Sequence, residues 1–391
     1  MKGQKVSSLE LKCLLVSRGV KCDKAVYKEL GQDYRLNINP LTCNCLILSD
    51  GTICQMTDVG FHLQYLNGAL SWDNLKLLRY ASELGTPFAV KLLEGKAALF
   101  YEGEVLDYVS FAPASAFYDK KTRSGLPVLG NAVLQGLDWV AFQCMWPCQY
   151  AMAGSACQFC FSGAEFETRA RKKKPQAKAL EAADVEEITR LAKEGDKVRG
   201  LQITGGSTFD GRMEADLVSA YLPRLAPLGL EEILLYLTPP DDQKLIDHYF
   251  DLGASRIAYS LEVWDMDRAA SITPGKIKFA GRQAYLSSLE YISEKYGPNR
   301  AFSNFIIGLE AFESLSQGAL HLAQRGIIPS ASVWMPMGRP VMGSMKAPDL
   351  DYYRRVIDFL AELYQRYYLE PAGFRGLNVC IEADIKRFSL Q

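Results

Sequence analysis

The chain has 391 residues, 48% of them hydrophobic, with 44 basic and 45 acidic side chains and a formal net charge of −1. This length can bury a large core, and the balanced charge gives no global attraction to nucleic acid or to an anionic membrane. The N-terminal residues lack a sustained apolar run, and no stretch reaches the roughly 20 apolar residues of a membrane span, so we predict neither a signal peptide nor a membrane anchor. Ten cysteines without a secretory signal suggest reduced thiols, available as metal ligands in a cytoplasmic protein.

Residues 1–135 are predicted to form a small α+β cap. An amphipathic helix is expected at residues 9–18, and Gly19 can end it. Two β-hairpins are expected at residues 42–56 and 88–101, because each contains a turn signal between two apolar runs. The cap would precede the main body of the chain and could close over it.

Beyond residue 136, short apolar strands alternate with amphipathic helices. The predicted strands are residues 137–143, 198–204, 232–237, 256–261, 302–307 and 327–335. The predicted helices are residues 184–194, 213–225, 242–252, 280–295, 312–324 and 350–368, the first of them with Asp184 as N-cap and Glu187 closing a capping box. This alternation is typical of parallel βαβ units, and six units are fewer than the eight of a closed barrel. We therefore predict an α/β fold with an open, partial (βα)6 barrel at residues 136–345, followed by a C-terminal helix and tail at 346–391.

Four cysteines follow the first predicted strand directly: Cys144, Cys148, Cys157 and Cys160. Thiolates this close together are expected to converge from a loop onto a soft metal, either zinc or an iron–sulfur cluster. Zinc would normally take all four sulfurs, or three and a histidine, and none of the three histidines of the chain lies near the loop. A cluster held by three cysteines would leave one iron open for a ligand. The loop lies at the carboxyl end of its strand, where barrel active sites lie.

A cysteine loop after the first strand of a six-unit partial barrel resembles the radical S-adenosylmethionine (SAM) superfamily. In that superfamily three cysteines hold a [4Fe–4S] cluster, SAM binds the fourth iron, and reductive cleavage of SAM gives a 5′-deoxyadenosyl radical that abstracts hydrogen from a substrate. The common spacing is Cys-x3-Cys-x2-Cys. Here Cys157, Phe159 and Cys160 match its final pair, and the first ligand is either Cys148 or Cys144. We favour Cys148, which makes Cys148, Cys157 and Cys160 the predicted metal ligands.

The resulting Cys-x8-Cys-x2-Cys spacing resembles an unassigned branch of the superfamily, encoded beside nitrilases in bacterial nitrogen-scavenging gene clusters. Two further motifs support this resemblance, Pro239-Pro240-Asp241 and Pro274-Gly275-Lys276. The branch suggests no particular substrate.

The resemblance also implies a set of SAM contacts at successive strand ends. The turn after the second strand corresponds to a Gly-Gly-Glu-like motif whose glycines let the backbone approach the SAM amino group, although Ser207 replaces the usual glutamate. The fourth strand ends at Glu262, where the family has a carboxylate that meets SAM, and Ile306 or Ile307 would pack on adenine. Tyr259 and Arg339 are predicted to face the cavity, and no catalytic acid or base stands out. The predicted SAM contacts are Phe159, Gly205, Gly206, Ser207, Glu262, Ile307 and Met335.

The sequence therefore predicts a radical SAM enzyme that acts on a small molecule and receives electrons from a reductant such as flavodoxin or ferredoxin. Three alternatives stay open. A sulfur-inserting enzyme would bind a second cluster through cap cysteines Cys43, Cys45 and Cys54. An RNA-modifying enzyme is supported only by the basic run at residues 169–174, which is most simply a solvated linker. A non-catalytic zinc or iron–sulfur scaffold is favoured by Ser207.

Simpler roles are also open for single residues. Gly205 and Gly206 could form an ordinary turn between a strand and a helix. A buried carboxylate needs a partner, and Glu262 could simply pair with Arg256 or Arg268.

Overall fold

A computed structural model of the chain describes residues 5–23, 25–26, 29, 44–56, 85–113, 115–142, 146–160, 173, 178–335, 345–372 and 379–389. Several residues singled out in the sequence lie outside these ranges: Cys43, Cys144, Arg339 and, apart from Lys173, the basic run at 169–174. The predictions made for them stay predictions.

The regular elements are numbered in chain order. The strands β1 to β14 are Lys21–Cys22, Asn44–Ile47, Ile53–Met56, Phe88–Leu93, Lys96–Tyr101, Glu104–Tyr108, Ser110–Phe111, Val133–Gln135, Trp139–Phe142, Gly200–Thr204, Glu232–Tyr236, Arg256–Ala258, Ala301–Ile307 and Ile328–Val333. The α-helices named below, α1 to α10, are Ser8–Arg18, Gln149–Met152, Ala182–Asp196, Arg212–Leu225, Lys244–Asp251, Met266–Ile272, Gly281–Tyr296, Phe312–Ala323, Leu350–Arg366 and Glu382–Ser389. A π-helical turn, Lys276–Ala280, precedes α7.

The main sheet has seven strands in the order β14-β13-β12-β11-β10-β9-β8. The six strands from β9 to β14 pair in parallel with their sequence neighbours, and β8 pairs antiparallel with β9. A helical segment follows each parallel strand, as is usual for the crossover connections between parallel strands. Six parallel βα units in an open sheet confirm the predicted α/β partial barrel.

The two faces of strand β13 differ in exposure near its carboxyl end. In β13 the side chains of Phe305 and Ile307 are buried, whereas those of Asn304 and Ile306, which alternate with them, are only half-buried. Because successive side chains of a strand point to opposite faces, Phe305 and Ile307 lie on the face that packs on helices. Asn304 and Ile306 lie on the inner face of the barrel, where a ligand could reach them.

The predicted capping box of α3 is wrong. The helix begins after Glu181, whose side chain makes no capping hydrogen bond. Asp184 instead accepts a hydrogen bond from the Ser124 hydroxyl at 2.7 Å, and Glu187 accepts one from the backbone N–H of Arg123 at 2.9 Å. Both carboxylates are used by a turn of the preceding segment, a tertiary contact that local sequence rules do not include.

The N-terminal region contains the predicted helix and both predicted hairpins. Helix α1 begins at a capping box formed by Ser7 and Glu10, and it ends at Gly19, which has a φ of 71°. The first hairpin pairs β2 with β3, and the second pairs β4 with β5 and continues into a strand, β6, that was not predicted. The buried side chains of α1 belong to the same apolar cluster as the barrel core. This shared core does not separate the cap from the barrel, so the proposed cap boundary at residue 135 stays a prediction.

The C-terminal segment extends the sheet edge at β14. The backbone N–H of Val333 donates to the Val379 carbonyl, and that of Ile381 donates to the Ala331 carbonyl, both at 3.0 Å. Helix α10 follows at once and contacts α9. Among the described residues, no helix is both long and apolar enough to cross a membrane.

Candidate functional site

The residues predicted to bind metal and SAM gather at one edge of the main sheet. The cysteine loop follows β9, Gly205 directly follows β10, Glu262 lies just beyond β12, and Met335 lies just beyond β14. Because these strands are parallel, their carboxyl ends lie at the same edge. This edge is where ligands bind in open α/β sheets.

The cysteine loop is fixed to the turn after β10 by Trp146, a residue whose role the sequence did not indicate. Its indole N–H donates to the Gly206 carbonyl at 2.5 Å, and the Gly206 N–H donates to the Trp146 carbonyl at 3.1 Å. A third bond runs from the N–H of Gln149 to the Ser207 carbonyl at 2.8 Å. These contacts join the loop to the neighbouring strand on both sides of Cys148.

Both glycines of the turn have a packing role. A Cβ atom on Gly205 would lie 2.1 Å from the Trp146 ring, and one on Gly206 would lie 2.1 Å from the Cα of Cys148. No side chain fits at such distances, so the loop can approach β10 only over glycine. The predicted contacts of Gly205, Gly206 and Ser207 with SAM stay predictions.

Three half-buried thiols lie on the loop. Cys148 is the N-cap of α2, and its Sγ accepts a hydrogen bond from the Ala151 N–H at 3.4 Å. The Cys160 N–H donates to the Cys157 carbonyl at 3.1 Å. Burial raises the pKa of the Cys157 thiol well above its usual value, and nearby Lys276 opposes this rise. Cys160 and Cys148 also act electrostatically on Cys157.

The donor set fits an iron–sulfur cluster, since soft thiols on one loop are the ligands that such clusters take. Within the described residues, no three His, Cys, Asp or Glu side chains lie close enough together to form a ready-made metal site. Whether Cys144 takes part stays a prediction, because it lies outside the described residues.

Glu262 is held by two partners, neither of them the expected arginine. Lys276 lies 2.9 Å from one carboxylate oxygen, and the Asn304 amide donates to the other at 3.1 Å. Arg256, one of the two arginines considered as a simpler partner for Glu262, pairs instead with Glu232 at 2.9 Å. Glu262 also has a φ of 68°, a strained conformation for a residue with a side chain. Such strain often marks a functional position, which supports a ligand role for this carboxylate.

The side chain of Lys276 is buried together with that of Glu262; the two are 13% and 12% exposed. Burial lowers the pKa of Lys276, but Glu262 and the Cys157 thiol raise it more, so the net shift is upward. The ammonium group therefore stays charged at neutral pH. A positive charge therefore lies close to both the cysteine loop and Glu262, whose carboxylate is predicted to contact SAM.

The apolar part of the site favours Ile306 over Ile307. Ile306 and Phe159 both pack against a small cluster that includes Val263 and Trp334. Ile307 is fully buried in the main core. The side chain that lies near Phe159 is thus that of Ile306, because alternation along β13 turns Ile307 to the opposite face. The predicted contact of Ile307 with SAM stays a prediction.

Two further predicted positions have different surroundings. Met335 is half-buried, and its sulfur lies 3.5 Å from the amide nitrogen of Gln55, so the first hairpin reaches the barrel edge. Tyr259 is fully buried, and its electrostatic neighbours Tyr249 and Glu214 lie on α5 and α4. Tyr259 therefore belongs to the layer between the sheet and its helices and does not face the cavity as predicted.

The described cap cysteines are buried, and Cys54 lies near the buried Lys12–Asp384 ion pair. Cys45 lies opposite Gln55 and Cys54 lies opposite Leu46, so the two cysteines point to opposite faces of their hairpin. Burial raises the pKa of Cys54 well above its usual value. These two thiols cannot share a metal across the hairpin. Cys43, which would share a face with Cys45, lies outside the described residues.

Comparison with known proteins identifies one curated relative and several solved structures, whereas no protein-family model matches the sequence. The relative is the bacteriochlorophyllide c C-7(1)-hydroxylase of Chlorobaculum limnaeum, 27% identical over 321 residues that cover 78% of each chain.

Two of the solved structures are enzymes by their names. A radical SAM methyltransferase from Sphaerobacter thermophilus aligns over 79% of this chain and 82% of its own, with 11% identity and a TM-score of 0.42. Methylornithine synthase (PylB) aligns over 64% of this chain and 72% of its own, with 14% identity and a TM-score of 0.42.

Proposed function

We propose that the chain is a radical SAM enzyme that starts its reaction by hydrogen abstraction from a small-molecule substrate. The observation that carries the proposal is the cysteine loop at the carboxyl edge of the six parallel strands, with three half-buried thiols, and beside Cys157 the Lys276–Glu262 pair, whose glutamate has a strained backbone. This combination of soft metal ligands and fixed charges suits a cluster with an attached polar cofactor.

Cys148, Cys157 and Cys160 would hold the [4Fe–4S] cluster. SAM would lie beside it, against Glu262, Phe159, the turn at residues 205–207, and the backbone of Met335. When bound, the cluster and SAM supply the 5′-deoxyadenosyl radical. The residues of the chain orient SAM and exclude water from it; Ile306, in this proposal, takes the adenine contact first assigned to Ile307. A reductant such as flavodoxin or ferredoxin would supply the electron.

The curated relative supports a reaction at carbon. Its name describes hydroxylation at a carbon position of a bacteriochlorophyllide, and 27% identity spans most of both chains. We therefore propose that the hydrogen removed by this enzyme is bonded to carbon, and that hydroxylation is the first product class to examine. The substrate itself stays open.

The test is anaerobic reconstitution with iron and sulfide, followed by electron paramagnetic resonance (EPR) of the dithionite-reduced protein with and without SAM. We expect a [4Fe–4S]⁺ signal that changes on SAM addition, with formation of 5′-deoxyadenosine. Replacing Cys148, Cys157 or Cys160 by alanine should abolish the signal, because three thiolates are the fewest that hold such a cluster with one open iron.

Cys380→Ala is the matched control, since it removes a half-buried thiol outside the loop, and it should keep the cluster. If Cys144→Ala abolishes the cluster and Cys148→Ala does not, Cys144 is the first ligand. Tightly held zinc with no cluster would refute the proposal and favour a structural metal protein. Iron and sulfide well above four per chain would favour the sulfur-inserting alternative, and salt-dependent RNA binding would favour the RNA-modifying one.

A further inference from the structure

The segment Ile272–Lys276 joins the cysteine loop to the far side of the site. The N–H of Gln158 donates to the Ile272 carbonyl at 2.8 Å, and the N–H of Gly275 donates to the Ser155 carbonyl at 3.0 Å. A Cβ atom on Gly275 would lie 2.5 Å from the Ser155 oxygen, so the segment can lie this close to the loop only with glycine at that position. These contacts fix the backbone of Lys276 beside the residues that flank Cys157.

The side chain of Lys276 then crosses from the loop to Glu262. Its ammonium nitrogen lies 2.9 Å from the Glu262 carboxylate and donates to the Ser260 carbonyl at 2.5 Å. The same ammonium acts electrostatically on the Cys157 thiol. A buried ammonium group is stable only with such partners, and these belong to two different strand ends. Lys276 thus connects the predicted metal site with the predicted SAM site.

The second oxygen of Glu262 is fixed from the opposite side. Asn304 donates its amide N–H to that oxygen at 3.1 Å, and the Ser332 hydroxyl donates to the Asn304 side-chain oxygen at 2.9 Å. The Ser332 oxygen lies 3.1 Å from the sulfur of Cys380. Each oxygen of Glu262 therefore has one fixed partner and can accept a further hydrogen bond. The carboxylate is oriented before any ligand arrives.

We propose that Lys276 is a positioning residue with two effects: it orients Glu262 for SAM, and it places a positive charge beside the Cys157 ligand that makes the cluster easier to reduce. The inference rests on the proposed function. Reduction adds a negative charge to the cluster, and charges and hydrogen bonds close to the sulfurs shift its reduction potential. Asn304 would share only the first effect, because it contacts Glu262 from β13, on the side away from Lys276.

The experiment compares the reconstituted wild-type protein with Lys276→Met, Lys276→Gln, Lys276→Arg and Asn304→Leu. The midpoint potential is measured by EPR-monitored redox titration, and the dissociation constant for SAM by calorimetry. Both neutral lysine variants should shift the potential to more negative values and weaken SAM binding about tenfold, the loss expected when a hydrogen bond to a charged group is removed. Asn304→Leu should weaken SAM binding and leave the potential unchanged. Lys276→Arg, which keeps the charge, should retain the wild-type potential.

Lys278→Met is the matched control, because Lys278 is exposed and only two residues away, with its ammonium over the Phe279 ring. It should change neither quantity. If Lys276→Met and Lys276→Gln both keep the midpoint potential and the SAM affinity of the wild-type protein, the inference is overturned and the proposed function still stands. If neither neutral variant takes up a cluster, a shifted potential in Lys276→Arg would overturn it. Failure of the wild-type protein itself to bind a cluster would refute the proposed function instead.

Discussion

At the scale of single residues, the site depends on a glycine as much as on the side chains that surround it. A Cβ atom added at Gly206 would lie 2.1 Å from the Cα of Cys148. The neighbouring atom is backbone, so it cannot move aside as a flexible side chain would. The position of Cys148 therefore depends on a glycine in another strand end.

We expect Gly206→Ala to destabilise the protein by about 1–3 kcal/mol, the usual cost of overpacking, and to reduce iron uptake sharply. The Cβ atom would push the cysteine loop away from β10 and break the bonds made by Trp146. Thermal unfolding and iron content measure the two effects. Gly195→Ala is the control, because its Cβ would make only an ordinary contact, 3.5 Å from the Cβ of Ala116. Equal iron content in both variants would contradict the packing role of Gly206.

At the scale of elements, Glu214 in the first turn of α4 holds two strand ends together. Its carboxylate accepts hydrogen bonds from the hydroxyls of Thr208, at 3.1 Å, and Thr238, at 2.6 Å, and from the Thr238 N–H at 2.9 Å. These threonines follow β10 and β11. Burial raises the pKa of Glu214 to about 7, although the hydrogen bonds from Thr238 and Thr208 oppose the rise.

This shift predicts a pH dependence of stability. Between the ordinary value of 4.5 and about 7 the folded state binds more protons at Glu214 than the unfolded state does, so stability falls as the pH rises through this window. The loss from this group is at most about 3 kcal/mol. Glu214→Gln keeps the shape, and its amide can donate to the two hydroxyls, so the variant should lose this pH dependence. Melting temperatures of both proteins from pH 4.5 to 8 test it; parallel curves would show that Glu214 titrates normally.

At the scale of the whole molecule, a buried ion pair joins the two ends of the chain. The Lys12 ammonium lies 2.6 Å from the Asp384 carboxylate, and their side chains are 0% and 1% exposed. A second pair, Glu10 with Arg354 at 2.5 Å, joins α1 to α9. Burial lowers the pKa of Lys12, but Asp384 and neighbouring thiols raise it more, so the lysine stays charged. The N-terminal helix is therefore part of the same packed body as the C-terminal helices.

We expect Lys12→Met to destabilise the protein by about 3–5 kcal/mol, because it leaves the buried Asp384 carboxylate without its lysine. The double variant Lys12→Met with Asp384→Leu should recover most of that loss, since a buried ion pair replaced by apolar groups is often close to neutral. Urea unfolding measures both. Lys21→Met, at an exposed position, should change stability by no more than about 0.5 kcal/mol. A double variant no more stable than Lys12→Met would refute this account.

The sequence by itself determined the elements and their order. Short apolar runs located the six parallel strands, and amphipathic patterns located the helices between them, because strands of a parallel sheet are buried on both faces and its helices on one. It also determined that the cysteine loop follows the first strand, and parallel topology then requires Glu262 and Gly205 to lie at the same edge. Local rules predicted helix α1 and its end at Gly19 correctly, whereas the capping box of Ser7 and Glu10 became apparent only in the structure.

Only the tertiary structure decided which distant groups meet. The partner of Glu262 is Lys276 and not Arg256, the carboxylates of Asp184 and Glu187 bind a remote turn, and Ile306 rather than Ile307 shares a cluster with Phe159. The physical reason is that periodicity describes one element at a time, whereas charge pairing, strand twist and close backbone approach depend on the relative placement of several. In the sequence, Lys276 is marked only by the motif Pro274-Gly275-Lys276. Its proposed role depends on Gly275, which allows the segment Ile272–Lys276 to lie against the cysteine loop.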